Sequence, residues 1–454
     1  MALLIKNISY VVTCNDQDEV LNDADILIEG PKIVSLGKNL KTNHQVATLN
    51  GNGMIAIPGL VNTHHHLYQT LFRGLPEVQD MPLFSWLTGL YQFWRHLTPE
   101  AVYYGALVGM SELLHTGCTL TADHHYVFPD GKAGNLIDSE IQAAQELGIR
   151  FHATRGSMSK GQNQGGLPPD AVVQKEDVIL EDSLRLIEKY HHPEPYAMLR
   201  IALAPCSPFS VSLDLMKQAR DLAREKQVML HTHLAETKDE EKYCLENYNR
   251  RPAELMADLG WTGPDVWFAH AIHLNDAEIK RLSGSGVAHC PSSNMKLGSG
   301  ICRTSELLKA GVKLSIAVDG SASNDASNIW EEVKRAYLLS HLYYGDQGLS
   351  AYQVLKLATR GGAAVLGRDD TGSIEIDKAA DIVLIDLDDI AFTGCHDPVV
   401  ALVCCGNCNI VNTTIVNGKI IVHNGELLTM DTRKIRNRAH SVARSLVELQ
   451  RKGS

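Results

Sequence analysis

The chain has 454 residues, 44% hydrophobic and 21% charged, a globular composition with material for a large core and an accessory domain. Its formal net charge of −11 speaks against a nucleic-acid backbone as partner, because such binding relies on clustered Lys and Arg. No apolar run approaches a membrane span, the first residues show no secretory pattern, and ten scattered cysteines form no small-domain framework. A cytoplasmic protein with reduced thiols, no membrane partner and a small-molecule ligand is expected.

The chain opens with strand patterns at residues 3–12, 24–30 and 32–37, separated by turn residues. Short apolar runs then alternate with helix-period segments: 54–61, 119–123, 150–154, 198–204, 228–233, 266–269, 286–289 and 314–318. Helices are plainest at 100–116, 213–225 and 350–366. Eight such strands predict an α/β fold, a (β/α)₈ TIM-like barrel over residues 57–370. An open doubly wound sheet is the competing architecture, disfavoured because no Gly-rich phosphate turn follows the first strand. The far end returns to strands at 380–386, 413–419 and 420–422, with Asn-Gly turns at 417–418 and 424–425. Residues 1–56 and 371–454 are expected to pair as a flanking β-sandwich domain. Near the end, Cys404-Cys405-x-x-Cys408 has no second ligand pair and lies in an apolar run, so it reads as buried structural thiols.

In such a barrel the chemistry belongs at the C-terminal ends of the strands. The first run ends in His64-His65-His66, and residues two apart on a strand share a face, so His64 and His66 can converge on one ion. Gln69 follows, able to donate and accept toward an amide edge, and then Trp86, which either packs a covering segment or stacks on a ring. After the third strand, Arg155 either pairs with a loop carboxylate or reaches a substrate oxo group. The fifth strand ends His231-Thr232-His233 with Glu236 three residues on: His233 reads as a ligand, Glu236 as an acid/base, and His231 as a core histidine one layer deeper. His270 ends the sixth strand, and His289 and Asn294 follow the seventh as pocket or supporting groups. Asp319 ends the eighth and could cap a helix, but with three histidines it completes an N₃O set suited to Zn²⁺ or Fe²⁺.

Asn62-x-His64-x-His66, His233-x-x-Glu236, Ala269-His270 and Val318-Asp319-Gly320, in this order over nearly the whole chain, resemble the deaminases of the amidohydrolase superfamily. The branch is that of the 8-oxoguanine and guanine deaminases and the triazine hydrolases. The resemblance implies one divalent ion on His64, His66, His233 and Asp319, with Glu236, His270 and Asp319 catalytic. Zn²⁺ is the expected ion and Fe²⁺ the alternative. No bridging lysine of the binuclear members is evident, since the fourth strand ends Ala204-Pro205-Cys206-Ser207. Guanine deaminases have a Gln at the offset of Gln69 but an Arg-Phe pair near Cys206, where this chain carries Pro205-Cys206-Ser207-Pro208-Phe209, similar to 8-oxoguanine deaminases. The resemblance therefore implies hydrolysis of 8-oxoguanine to uric acid and ammonia. Hydroxylated aminotriazines, isoxanthopterin and guanine are the alternative substrates, and a cyclic amidase is the competing reaction class. It also implies a homo-oligomer.

Overall fold

The computed structural model describes residues 2–42, 45–129, 135–405 and 411–453. The N-terminal part supplies β1 (Ala2–Val12), β2 (Val20–Glu29), β3 (Lys32–Gly37), β4 (Ala47–Asn50) and β5 (Met54–Pro58). Eight further strands follow: β6 (Leu60–Asn62), β7 (Cys118–Ala122), β8 (Arg150–Ser157), β9 (Leu199–Pro205), β10 (Met229–Leu234), β11 (Val266–His270), β12 (Gly286–His289) and β13 (Lys313–Ile316). The C-terminal part adds β14 (Ile382–Asp386), β15 (Thr413–Val416), β16 (Lys419–His423) and β17 (Glu426–Leu427).

Strands β6 to β13 pair in chain order, all parallel, with helices between them. This is the expected barrel, and its near-continuous burial fits strands covered on both faces. The seam between β13 and the three-residue β6 is closed largely by side chains. Asn62 Oδ1 accepts the amide of Val318 at 3.0 Å while its Nδ2 donates to Thr121 Oγ1, also at 3.0 Å. The Asp319 amide donates to the His64 carbonyl at 3.1 Å. The asparagine of the first motif thus joins the first and last strands beside the residues that carry the chemistry.

Both chain ends build one nine-stranded sheet in the order β17-β16-β15-β14-β5-β1-β2-β3, with β4 paired to β1. Its core, including Ile5, Ile26, Ile382 and Ile415, is separate from the main one. The run 54–61 divides between the two sheets: β5 pairs with β14, and β6 opens the barrel. Gly59 makes the switch, because a Cβ there would lie 2.0 Å from Thr119 Oγ1. The run 350–366 is likewise interrupted, by a π-helical turn at Leu357–Gly361. There Gly361 presses against the Leu314 carbonyl, which a Cβ would approach to 2.5 Å.

The helix Thr432–Gly453 runs back along the barrel helix Pro99–His115 instead of joining the sheet. Ile435, Ala439, Val442 and Leu446 are its buried stripe at helical spacing, and Arg438 pairs with Glu100 across the contact. One expectation is corrected here. Cys404 is half-buried and Cys405 exposed, because the turn at Ala401–Cys405 buries only Ala401, Leu402 and Val403; Cys408 lies outside the described residues. Among the described residues no helix is long and apolar enough to cross a membrane.

Candidate active site and metal centre

At the C-terminal end of the barrel, His64, His66, His233, Glu236, His270 and Asp319 come together, each at most 8% exposed. The hydrogen bonds on the far side of each imidazole define its tautomer. His66 Nδ1 donates to the His124 carbonyl at 2.7 Å, and His233 Nδ1 donates to the Cys206 carbonyl at 2.8 Å. His231 Nδ1 donates to the Trp267 carbonyl at 2.9 Å, so its Nε2 accepts from His64 Nδ1 at 2.8 Å. Burial, with neighbouring histidines adding to it, holds His231 and His233 well below the usual imidazole range. His64 is held low mainly by burial. With Nδ1 engaged in each of them, His64, His66 and His233 turn Nε2 toward the barrel mouth.

Those Nε2 atoms face one another. His66 Nε2 lies 3.3 Å from His233 Nε2, and Asp319 Oδ1 lies 3.3 Å from both His64 Nε2 and His66 Nε2. His64 Nε2 is buried without a hydrogen-bond partner. Acceptors packed so closely repel unless a cation sits among them. A 3.3 Å edge belongs to a tetrahedron whose corners lie about 2.0 Å from its centre, a zinc–imidazole distance. The donor set therefore fits a divalent ion. Asp319 caps no helix: the next one, Ile329–Tyr344, takes its cap from Asn328.

The acid/base candidate stands beside this set. Glu236 Oε2 lies 3.5 Å from His270 Nε2, which is 3.9 Å from Asp319 Oδ2. Burial, reinforced by the charge of Asp319, pushes the Glu236 carboxyl well above its ordinary value, which suits a group that must both take and give a proton. Four residues here have left-handed backbone: Ala235 (φ 49°), His270 (φ 70°), Ala271 (φ 51°) and Asp319 (φ 63°). Non-glycine residues adopt this region at a cost, and such outliers gather where side chains must be aimed.

A narrow cavity opens onto these groups. The helix Leu83–Trp94 covers it with Leu83, Trp86, Leu87 and Tyr91, which share one face, and Gln69, Tyr126, Cys206, Phe209, Leu297 and Ser323 complete the wall. Gln69 and Trp86 both line the cavity, each with an unpartnered buried donor, Nε2 and Nε1. Gln69 Oε1 is turned over Gly320 and accepts the Ala322 amide at 3.4 Å, leaving its amino group as the end without a partner. Cys206 lines the wall with a thiol pushed up to about 12 by burial, so it stays protonated and is no nucleophile.

The other three polar candidates lie behind the wall. Arg155 bonds Asp182 at 2.6 Å and Gln174 at 2.9 Å and stacks 3.8 Å over Phe128, the carboxylate-pairing alternative. Asn294 Oδ1 sits 2.9 Å from His270 Nδ1 and orients that ring. His289 is buried on β12. Sequence reasoning passed over Tyr126 and Tyr91. Tyr126 follows Asp123-His124-His125 at the end of β7, and a polar run leaving an apolar strand was the available signal.

The amidohydrolase family model matches residues 55–421. The chain belongs to the amidohydrolase family. Its relatives include an 8-oxoguanine deaminase from Pseudomonas aeruginosa, 43% identical over 98% of each chain. A hydroxydechloroatrazine ethylaminohydrolase from Pseudomonas sp. is 34% identical over 96% of this chain and 94% of its own. Among solved structures, an atrazine chlorohydrolase from Arthrobacter aurescens TC1 complexed with zinc superposes with a TM-score of 0.94 at 36% identity, covering 97% of this chain and 100% of that one. Together with the buried His/Asp set, family membership makes this amidohydrolase a metal-dependent hydrolase.

Proposed function

We propose that this amidohydrolase hydrolyses an amino-substituted oxo heterocycle, 8-oxoguanine in the first place, to the oxo product and ammonia. The observation that carries the reading is the close packing of His64 and His66 Nε2 on Asp319 Oδ1, with His233 Nε2 against His66 Nε2 and the Glu236 carboxyl across His270. His64, His66, His233 and Asp319 would hold one divalent ion, Zn²⁺ or Fe²⁺. When bound, it supplies the Lewis acidity that brings a water's pKa toward neutrality. Among the described residues, two of the three buried groups able to hold an ion overlap at the mouth, His64/His66/His124/His233 and His64/His270/Asp319, and the third, Asp123, His125 and Glu140, is engaged in bracing the chain. Asp123 Oδ1 accepts the Leu67 amide at 2.7 Å, and His125 bonds Glu140 at 2.8 Å and the Val127 carbonyl at 3.0 Å.

Glu236 takes a proton from the attacking water and delivers it to the ring nitrogen beside the amino-bearing carbon. A C–O bond forms there as the ring C=N opens to a single bond. His270, oriented by Asn294, holds the attacking oxygen. Asp319 accepts the second water proton and passes it to the departing amine; the C–N bond breaks, ammonia leaves and the C=O closes. Gln69 Nε2 donates to an oxo oxygen or ring nitrogen of the substrate, and Trp86 Nε1 offers a second donor.

The 8-oxoguanine assignment rests on the relative of that name and on the Cys206 segment. Ammonia release from 8-oxoguanine, guanine, isoxanthopterin and a hydroxylated aminotriazine at equal concentrations tests it. The highest kcat/KM is expected for 8-oxoguanine, and a higher value for another ring overturns the substrate while leaving the reaction class intact. Ring opening without ammonia overturns the class. Elemental analysis is expected to find one ion per chain, and a fall in metal content in His64→Ala.

A further inference from the structure

The carboxylate of Glu240 stands where none of the chemistry above needs it. It is fully buried four residues beyond Glu236, in the first turn of the helix Lys238–Tyr248. A glutamate there, at the third helical position, commonly reaches back to the amide of the N-cap residue. Here the N-cap is Thr237, whose side chain makes no capping bond and whose Oγ1 is buried without a partner. Glu240 passes over Thr237 instead. Its Oε1 accepts the Ala235 amide at 2.8 Å and its Oε2 the Glu236 amide at 3.0 Å. The carboxylate is spent on the peptide that carries Glu236, and the helix end goes without its usual side-chain cap.

That peptide needs holding. Ala235 lies in the left-handed region (φ 49°), a conformation an alanine adopts only under constraint. The opposite side of the same residue is gripped as well: its carbonyl accepts the amides of Ile272 at 3.1 Å and His273 at 2.9 Å. Those amides follow His270 and Ala271, themselves left-handed (φ 70° and 51°). The turn after β10 and the turn after β11 are therefore locked together, with Glu240 on one side. The two side chains they aim, Glu236 and His270, meet at 3.5 Å.

We propose that Glu240 is a positioning residue for the proton-transfer step: its two-pronged grip on the Ala235 and Glu236 amides holds the left-handed turn that points Glu236 into the cavity. This rests on the reading of Glu236 as acid/base. Glu240 touches neither substrate nor ion, so its loss moves the acid/base without removing it. An ångström of displacement at a reacting group can cost on the order of 10²-fold in rate.

The experiment is a graded series in the metal-loaded enzyme: Glu240→Gln, which keeps one oxygen acceptor, and Glu240→Ala, which keeps none, beside Glu236→Gln. Rates are normalised to bound metal, and folding is followed by near-UV circular dichroism. The expected result is a stepwise fall in kcat, about 10-fold for Glu240→Gln and about 10²-fold for Glu240→Ala, with KM and metal content holding near the parent. Unchanged metal-normalised kcat in both variants, or a rise in KM with kcat intact, overturns the proposal and assigns Glu240 to stability alone. The shape-conserving Gln variant keeps the test decisive if the Ala variant folds poorly. Failure of the underlying reading looks different: Glu236→Gln would then turn over at a near-parent rate whatever Glu240 does.

Discussion

Two buried polar clusters at opposite ends of the barrel use their groups in opposite ways. At the N-terminal end, Arg150 at the start of β8 is saturated. Its Nε and Nη2 bond both oxygens of Asp381 at 3.0 Å, Nη1 bonds the Tyr196 and Ala197 carbonyls at 2.8 Å, and Nη2 also reaches Asn417 at 3.0 Å. Asp381 in turn accepts from the Asn417 amide and from Thr371, and its carbonyl accepts the Gly59 amide where the chain passes from sheet to barrel. At the C-terminal end, His64 Nε2 and Gln69 Nε2 are left without partners, Glu236 carries a raised pKa, and left-handed residues sit at three strand ends. The first arrangement ties the terminal sheet to the barrel. The second holds unmet bonding capacity ready for an ion and a substrate. Both the Arg150–Asp381 cluster and the group at the mouth are buried, and what separates these two sites is whether their bonds are closed within the protein.

The largest break in that contrast is expected from Glu236→Gln. It keeps size and burial while removing a group worth about 10²–10⁴-fold in proton transfer. Steady-state ammonia release should fall by that factor with metal content unchanged, and a near-parent rate would remove Glu236 from the mechanism.

At the opposite end, Asp381→Ala leaves the Arg150 charge buried and unpaired. The loss of stability should be about 3–5 kcal/mol, read as a shifted urea midpoint. Any protein that remains folded and metal-loaded should keep its kcat, because Asp381 belongs to the other end. A loss of kcat in that folded fraction would show that the ends are coupled.

Asn294→Ala is a smaller perturbation of the functional end, since it frees the His270 ring without removing it. Loss of an orienting partner of this kind costs about 10–100-fold, and a fall in kcat at constant KM is the outcome to look for.

Arg155→Met should have the least effect on turnover. Its guanidinium faces Asp182, Gln174 and Phe128 and not the cavity, so the melting temperature should drop while KM for the substrate holds. A rise in KM would bring Arg155 back to the pocket.

Much of the molecule was legible in the chain because the signals are local. Apolar runs at regular spacing mark the eight strands, and His-x-His at a strand end puts two imidazoles on one face whatever the rest of the fold does. Glu236 three residues beyond His233 and Asp319 after the last apolar run follow from the same rule, that polar groups leaving a buried strand emerge at the barrel mouth. The sequence by itself thus determined the barrel, the joining of both ends in a second sheet, and the placement of His64, His66, His233, Glu236, His270 and Asp319 at the mouth. Tertiary structure alone decided which polar candidates face the cavity and which stand behind it. Gln69 and Trp86 line the wall, whereas Arg155 is taken by Asp182 and Asn294 by His270. It also decided where the run 54–61 divides at Gly59, where the helix over 350–366 breaks, and that Glu240 grips the Ala235 turn. Each of these depends on a contact between residues whose own neighbours in sequence carry no trace of it, or on a backbone angle that a residue's identity does not specify.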